Sequence, residues 1–118
     1  MIDWDRVSDL LDDVGADEFE PVLELFIDEV EHLVMQLTKD DAGLLERYMH
    51  FLKGSAWNLG FAEFGATCQQ VETLAAKRDL DNVSIGAIVE CYSNSKKLFM
   101  RDLARMTGAQ GRDGVEVA

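Results

Sequence analysis

Among the 118 residues there are two histidines, and His50 has the neighbours best suited to chemistry. At 100° per residue, the large apolar residues of its helix lie on the opposite side, so the imidazole is predicted to face solvent. Lys53 follows one turn later and brings an ammonium group to the same face. Gly54 also lies on this face, in a helix interior where glycine costs about 1 kcal/mol relative to alanine. This pattern indicates that a partner approaches the backbone next to the imidazole.

The side chains around His50 are suited to carrying a phosphoryl group. An imidazole has an ordinary pKa near ~6.5 and therefore offers a neutral, nucleophilic nitrogen at physiological pH. The Lys53 ammonium would offset the negative charge of a phosphoryl group, and Gly54 would leave room for its oxygens and for the donor. The spacing alone fits an alternative equally well. In this alternative a surface histidine lies beside a surface lysine without a function, and Gly54 is there by accident.

The other histidine, His32, forms a Glu-x-x-His pair with Glu29, the spacing used by di-iron bundles. The two residues are predicted to lie about 100° and about 160° from the centre of their helix's apolar stripe, so neither points inward. A di-iron site also needs a second such pair, and the sequence has none. We therefore expect a solvated face here and no metal site.

Charge and composition exclude further classes of function. The net charge is −12, and all of the excess lies in residues 1–41. A charge of this sign argues against a nucleic-acid partner. No apolar run approaches the ~20 residues that span a bilayer, and the start lacks the layout of a signal peptide. Cys68 and Cys91 form neither a CxxC pair nor a zinc spacing, as expected of a reduced cytoplasmic protein. The sequence contains no GxGxxG, GxxxxGK[ST], HExxH or GxSxG signature.

Apolar residues recur at helical spacing along almost the whole chain, and there is a single proline. The pattern predicts a short helix at 3–14, a long second helix capped by Asp17, and further helices at about 41–60, 61–77 and 85–106. The predicted core face of the last helix is Ile85, Ile88, Val89, Tyr92, Phe99, Leu103 and Met106. We expect an all-α fold, an antiparallel up-down four-helix bundle with a short extra N-terminal helix over residues 1–107, followed by a flexible tail at 108–118.

The run His50-Phe51-Leu52-Lys53-Gly54-Ser55, followed by Leu59-Gly60, resembles the signature of histidine-containing phosphotransfer (Hpt) domains, the intermediates of multistep phosphorelays. The resemblance extends in outline to residues 3–106, because that family's fold is likewise an up-down helical bundle. It implies that His50 takes a phosphoryl group from the aspartate of one receiver domain and passes it to another. It also implies that Lys53 steadies this group and that Gly54 keeps the site open. The Mg²⁺ would belong to the receiver, so this chain would bind no cofactor and would be a phosphocarrier rather than an enzyme.

Two positions depart from the family's pattern. Members often carry a glutamine about 22 residues after the histidine that can hydrogen-bond the imidazole. This chain has Glu72 at that position, with Gln69 and Gln70 nearby, and Glu72 and Gln69 are the candidates for orienting the ring. A carboxylate could orient the ring by accepting its N–H, yet it would repel a phosphoryl group. An equal alternative is that Glu72 extends into solvent. Trp57 stands where the family has a small residue, either as an exposed docking anchor or packed beneath the first helix or the loop before the fourth.

The docking surface for a receiver is expected around the histidine, with Met49, Phe51 and Trp57 as neutral contacts and Arg47 and Lys53 as positive ones. Relay contacts form and dissolve, so we expect a modest interface and a monomeric carrier. The alternative function is a helical adaptor that binds receivers or other regulators without accepting phosphate.

Overall fold

A computed structural model describes residues 2–104, which fold into five α-helices and one 3₁₀ turn at Leu80–Asn82. The described residues contain no strand, only an isolated antiparallel bridge between Ile2 and Phe61. The all-α prediction is therefore confirmed, whereas the tail predicted at 108–118 and the core position Met106 lie outside the described residues. The α-helices are α1 Trp4–Val14, α2 Ala16–Val34, α3 Ala42–Leu59, α4 Ala62–Ala76 and α5 Ile85–Leu103.

Three helices begin at a side chain that caps the first turn. Asp3, Asp41 and Ser84 precede α1, α3 and α5, and each accepts a hydrogen bond from a backbone N–H three residues later. These bonds satisfy donors that have no partner within the helix, which explains why the helices start where they do. The donors are the amides of Arg6, Leu44 and Ala87, at 3.2, 3.0 and 3.1 Å.

The start of α2 differs from the prediction, because Gly15 rather than Asp17 occupies the cap position. Gly15 has φ = +86°, a conformation that favours glycine, and its N–H also donates to the Leu11 carbonyl at the end of α1. One residue thus separates the two helices. Asp17 lies in the first turn of α2, where its negative charge is favoured by the helix dipole.

Aromatic rings form the centre of the core. Phe61 and Phe99 lie with ring centroids 5.1 Å apart, and Phe64 lies 5.3 Å from Tyr92. Trp4 stacks flat on Phe99 at 5.5 Å, so α1 is fastened directly to α5. Such rings combine a large buried area with specific ring geometry, which fixes the relative placement of α1, α4 and α5.

Two expectations about buried positions were wrong. Met49, expected at the docking surface, is fully buried, because α3 is covered by α1, α2 and α4 and buries a wide arc of its surface. Val89, expected in the core, is 41% exposed. On α5 the buried residues follow a narrow stripe, and Val89 lies beside it. This stripe consists of Ile88, Tyr92, Ser95 and Phe99.

The tight turn between α3 and α4 depends on Gly60. Its φ is +79°, and an added Cβ would lie 2.6 Å from the Asp3 carbonyl oxygen and 2.9 Å from Val7. The Asp3 amide donates to the Gly60 carbonyl at 2.6 Å, so the start of the chain closes this corner. The turn lays α3 and α4 side by side, the most extensive helix pairing in the described residues.

None of the helices described here is long and apolar enough to cross a membrane. Neither the acidic α1 and α2 nor the helices after them supply such a segment.

We predict that Gly60→Ala lowers the free energy of unfolding by about 2 kcal/mol, because alanine is strained at positive φ and its methyl group meets backbone. Urea denaturation followed by circular dichroism measures this change. The matched control is Gly86→Ala in the first turn of α5, where an added Cβ comes no closer than 3.9 Å to its neighbours. The control should be neutral or slightly stabilising, and an equal loss in both variants would contradict the account.

Candidate functional site

The His50 side chain is 71% exposed and lies on α3 opposite its buried face. The prediction that the imidazole faces solvent is confirmed. The positions on the other side of this helix, such as Leu52 and Leu59, are completely or almost completely buried. The core therefore holds α3 rigidly while the ring stays accessible to another molecule.

The Glu72 carboxylate of α4 reaches across to the ring. Its Oε2 lies 2.8 Å from Nδ1 of His50, and its side chain is only 20% exposed. The alternative that Glu72 extends into solvent is therefore wrong. An ionised carboxylate can only accept, so the shared proton lies on Nδ1. In the neutral ring this leaves the lone pair on Nε2, the nitrogen available to a reaction partner.

Lys53 pairs with the other oxygen of the same carboxylate. Its Nζ lies 2.7 Å from Oε1 of Glu72, and the lysine side chain is 25% exposed. Oε1 is buried and has no well-aligned hydrogen bond among the described residues, so this ion pair compensates its charge. Close contact with the Lys53 ammonium lowers the pKa of Glu72 despite partial burial, and His50 adds to this effect. Glu72 is therefore a carboxylate at neutral pH, bridging ring and ammonium.

Gly54 leaves open space next to this cluster. An added Cβ would meet no neighbouring atom within 4 Å, so no packing contact in the described residues requires glycine there. The helix accepts the lower helix propensity of glycine at a position where alanine would fit. The sequence-based interpretation of Gly54 as an accessible stretch of backbone is consistent with this geometry.

Trp57 is 41% exposed and packs on α4 rather than beneath α1 or the loop before α4. A Cβ added at Gly65 would lie 2.9 Å from the indole ring, so Gly65 makes the seat for this side chain. The sequence analysis missed this residue; its signal was a glycine within the helical pattern of α4. The indole also lines an open groove of about 610 Å³ together with Ala66, Gln69, Gln70, Thr73 and Leu74. Glu72 contacts the ring of His50, whereas Gln69 lies beside Trp57.

The other two residues expected at the docking surface flank the histidine. Phe51 is 45% exposed and lines a shallow groove between α2 and α3 with residues that include His32 and Glu29. Arg47 is exposed and lines a polar groove with His50 and Glu72. Phe51, Arg47 and Trp57 thus line three different grooves, of which the one with Arg47 also includes His50.

His32 and Cys68 are two further side chains with reactive groups in the part of the chain that the structure describes. His32 and Glu29 are exposed on α2, and residues 2–104 contain no cluster of three or more potential metal ligands. Cys68 is completely buried, and burial raises the pKa of its thiol to about 12, so it stays protonated and unreactive.

These features describe a helical protein that presents an exposed histidine on a helix face, with one ring nitrogen held by a carboxylate. A match to the Hpt domain family covers residues 21–98, about two thirds of the chain. The chain belongs to this family, whose members carry phosphoryl groups on histidine in phosphorelays and interact with receiver domains. The resemblance noted in the sequence is therefore confirmed. No curated protein and no solved structure matches the sequence.

We predict that Glu72→Gln lowers the free energy of unfolding at neutral pH, and that the difference from the wild type disappears in acid. The pKa of Glu72 is lowered in the folded state, so its contribution is complete above the ordinary value of 4.5 and is lost as pH falls through the lowered pKa. Urea denaturation of both proteins from about pH 7 to about pH 3 measures the change. Glu90→Gln, at an exposed position of α5, is the control. Parallel stability curves for wild type and Glu72→Gln would contradict the prediction.

Proposed function

We propose that this chain is a phosphocarrier of a multistep His-Asp phosphorelay, which receives a phosphoryl group on Nε2 of His50 from one receiver domain and delivers it to another. The observation that carries the proposal is the 2.8 Å contact between Nδ1 and Glu72 on an exposed ring. That contact directs the free lone pair to the other nitrogen, in a chain of the Hpt family.

In the proposed transfer, the Nε2 lone pair attacks the phosphorus of an aspartyl phosphate. The N–P bond forms while the P–O bond breaks, and the receiver's carboxylate leaves with the electron pair. The proton on Nδ1 stays hydrogen-bonded to Glu72, so the phosphorylated ring carries a positive charge next to a carboxylate. The reverse reaction delivers the group to a second receiver. We assign Mg²⁺ and the acidic pocket to the receiver, so this chain supplies the nucleophile without a cofactor or an enzymatic centre of its own.

We further propose that the helices form an antiparallel up-down four-helix bundle, with α1 as the additional helix; the described residues 2–104 cover this part of the domain predicted at 1–107. In support, α3 packs against α2 and α4, and α4 packs against α5. Glu31 of α2 joins α5, because its Oε2 accepts from the Tyr92 hydroxyl at 2.8 Å and pairs with Lys96.

We also propose that this carrier is a monomer, because a modest docking surface suits contacts that form and dissolve. The cytoplasm is the compartment in which we place it.

The proposed receiver surface is centred on His50, with Phe51 on the α2 side, Trp57 on the α4 side and Arg47 on the polar rim. Phe51 and Trp57 are 45% and 41% exposed, and aromatic side chains of this kind provide much of the binding energy in transient interfaces. Arg47 would supply positive charge to an acidic receiver pocket. The net charge of −12 argues against nucleic acid as a partner.

The direct test of the proposal is phosphorylation of this protein by the phosphorylated receiver domains of its source organism. The wild type should acquire an acid-labile, base-stable phosphoryl label. The His50→Gln variant should fold, because His50 is exposed, but should acquire no label. His32→Gln is the matched control, because it alters the other exposed histidine and should retain the label. A label that persists in His50→Gln would refute the assignment of the site.

The competing adaptor function is favoured by the exposed aromatic residues around the ring, which suit binding with or without transfer. An adaptor would bind receivers equally well after His50→Ala and would never acquire a label. The same binding measurement tests the docking surface, since Phe51→Ala and Trp57→Ala should each weaken receiver binding.

Gly54→Ala should separate stability from transfer. We expect a gain of up to about 1 kcal/mol in the free energy of unfolding, because alanine favours helix and has open space at this position. Phosphoryl transfer should nevertheless slow several-fold, since the added methyl group stands where the receiver approaches. Urea denaturation and the initial rate of labelling measure the two effects, with Gly86→Ala in the first turn of α5 as the control. Unchanged transfer in Gly54→Ala would contradict the role of this position in access.

A further inference from the structure

In this structure, which carries no phosphoryl group, Lys53 forms an ion pair with Glu72. Nζ of Lys53 lies 2.7 Å from one Glu72 oxygen, while the other oxygen lies 2.8 Å from Nδ1 of His50. The lysine side chain is only 25% exposed, so the ammonium is held against the bundle rather than extended into solvent. A single carboxylate therefore engages both the ring N–H and the cation that the phosphorylated ring would need.

This inference rests on the proposed function, because it concerns what happens when His50 carries a phosphoryl group. Such a group brings between one and two negative charges and several strong acceptor oxygens, which attract the nearest ammonium. If Lys53 turns towards these oxygens, Oε1 of Glu72 loses its ion pair. That oxygen is buried and has no other well-aligned partner among the described residues. An uncompensated carboxylate at such a position is unfavourable.

Other charges around the ring are less able to take over the role of Lys53. From the end of α4, Arg78 faces the same groove, but its Nη1 donates to the Ala75 carbonyl at 2.9 Å and lies 3.7 Å from Glu46. Arg47 lies on the exposed rim of α3, where a charge interacts more weakly because water screens it.

We propose that Glu72 competes with the phosphoryl group for the Lys53 ammonium and thereby destabilises phospho-His50. In the proposed step, the ion pair between Lys53 and Glu72 breaks and one between Lys53 and the phosphoryl oxygens forms. No proton moves, and the only covalent changes are those of the transfer itself, in which the N–P bond forms and the P–O bond of the aspartyl phosphate breaks. The carboxylate that prepares the ring for attack thus also favours passing the group on over storing it.

The test is the equilibrium of phosphoryl exchange between this protein and a receiver domain that phosphorylates it. Glu72→Gln retains an oxygen that can accept from Nδ1 but removes the charge that holds Lys53. We expect the equilibrium to shift towards phospho-His50 by about five-fold, the effect of one partly exposed ion pair. Glu46→Gln removes the same charge from the same groove and should shift the equilibrium by less than about two-fold.

The role of Lys53 is isolated by repeating the measurement with Lys53→Ala. When Lys53 is absent, Glu72→Gln removes only the attraction between the carboxylate and the positively charged phosphorylated ring, so the shift towards phospho-His50 should disappear or reverse. A shift of equal size in both backgrounds would assign the effect to direct repulsion and overturn the proposal, as would an unchanged equilibrium in Glu72→Gln alone. If Glu72→Gln does not fold, Glu72→Met removes the charge together with the acceptor for Nδ1, and its effect with and without Lys53 still isolates the role of the ammonium.

The outcome is distinguishable from failure of the proposed function. A wild-type protein that takes no label from any receiver refutes the phosphocarrier function itself. A wild-type protein labelled on His50, with the same equilibrium in Glu72→Gln, refutes only the competition for Lys53.

Discussion

The site depends on one partly buried carboxylate that is shared between two helices. Glu72 projects from α4 and meets His50 and Lys53, one turn apart on α3, through its two oxygens. The arrangement requires α3 and α4 to stay in fixed register, which their extensive packing and the turn at Gly60 provide. A small displacement between these helices would separate the carboxylate from both partners, so the chemistry of the ring depends on the rigidity of the core.

The residues of α3 could be predicted from sequence because they belong to one helix. The spacing of His50, Lys53 and Gly54 fixes their common face once the helix is assigned, and the apolar residues fix which face is buried. The contact with Glu72 could not be decided in this way, since it depends on the register between two helices. The seat of Trp57 on Gly65 was missed for the same reason.

In the fold as well, some features are set by residues close in sequence and others by packing between helices. The starts of α3 and α5, where Asp41 and Ser84 cap the first turn, follow from local chemistry and were predicted to within one residue. The width of a buried arc depends instead on how many neighbours cover the helix. This explains why Met49 on the well-covered α3 is buried, whereas Val89 on α5 is not.

The corner that holds α3 against α4 is closed by residues far from it in sequence. The amide of Asp3 bonds to Gly60, Ile2 bridges Phe61, and Trp4 stacks on Phe99. All three N-terminal residues lie before the segment matched by the Hpt family, which starts at residue 21. A fragment that starts at residue 21 would therefore lose these contacts, which support the turn between α3 and α4. The segment that matches the family is thus shorter than the segment that packs together in this structure.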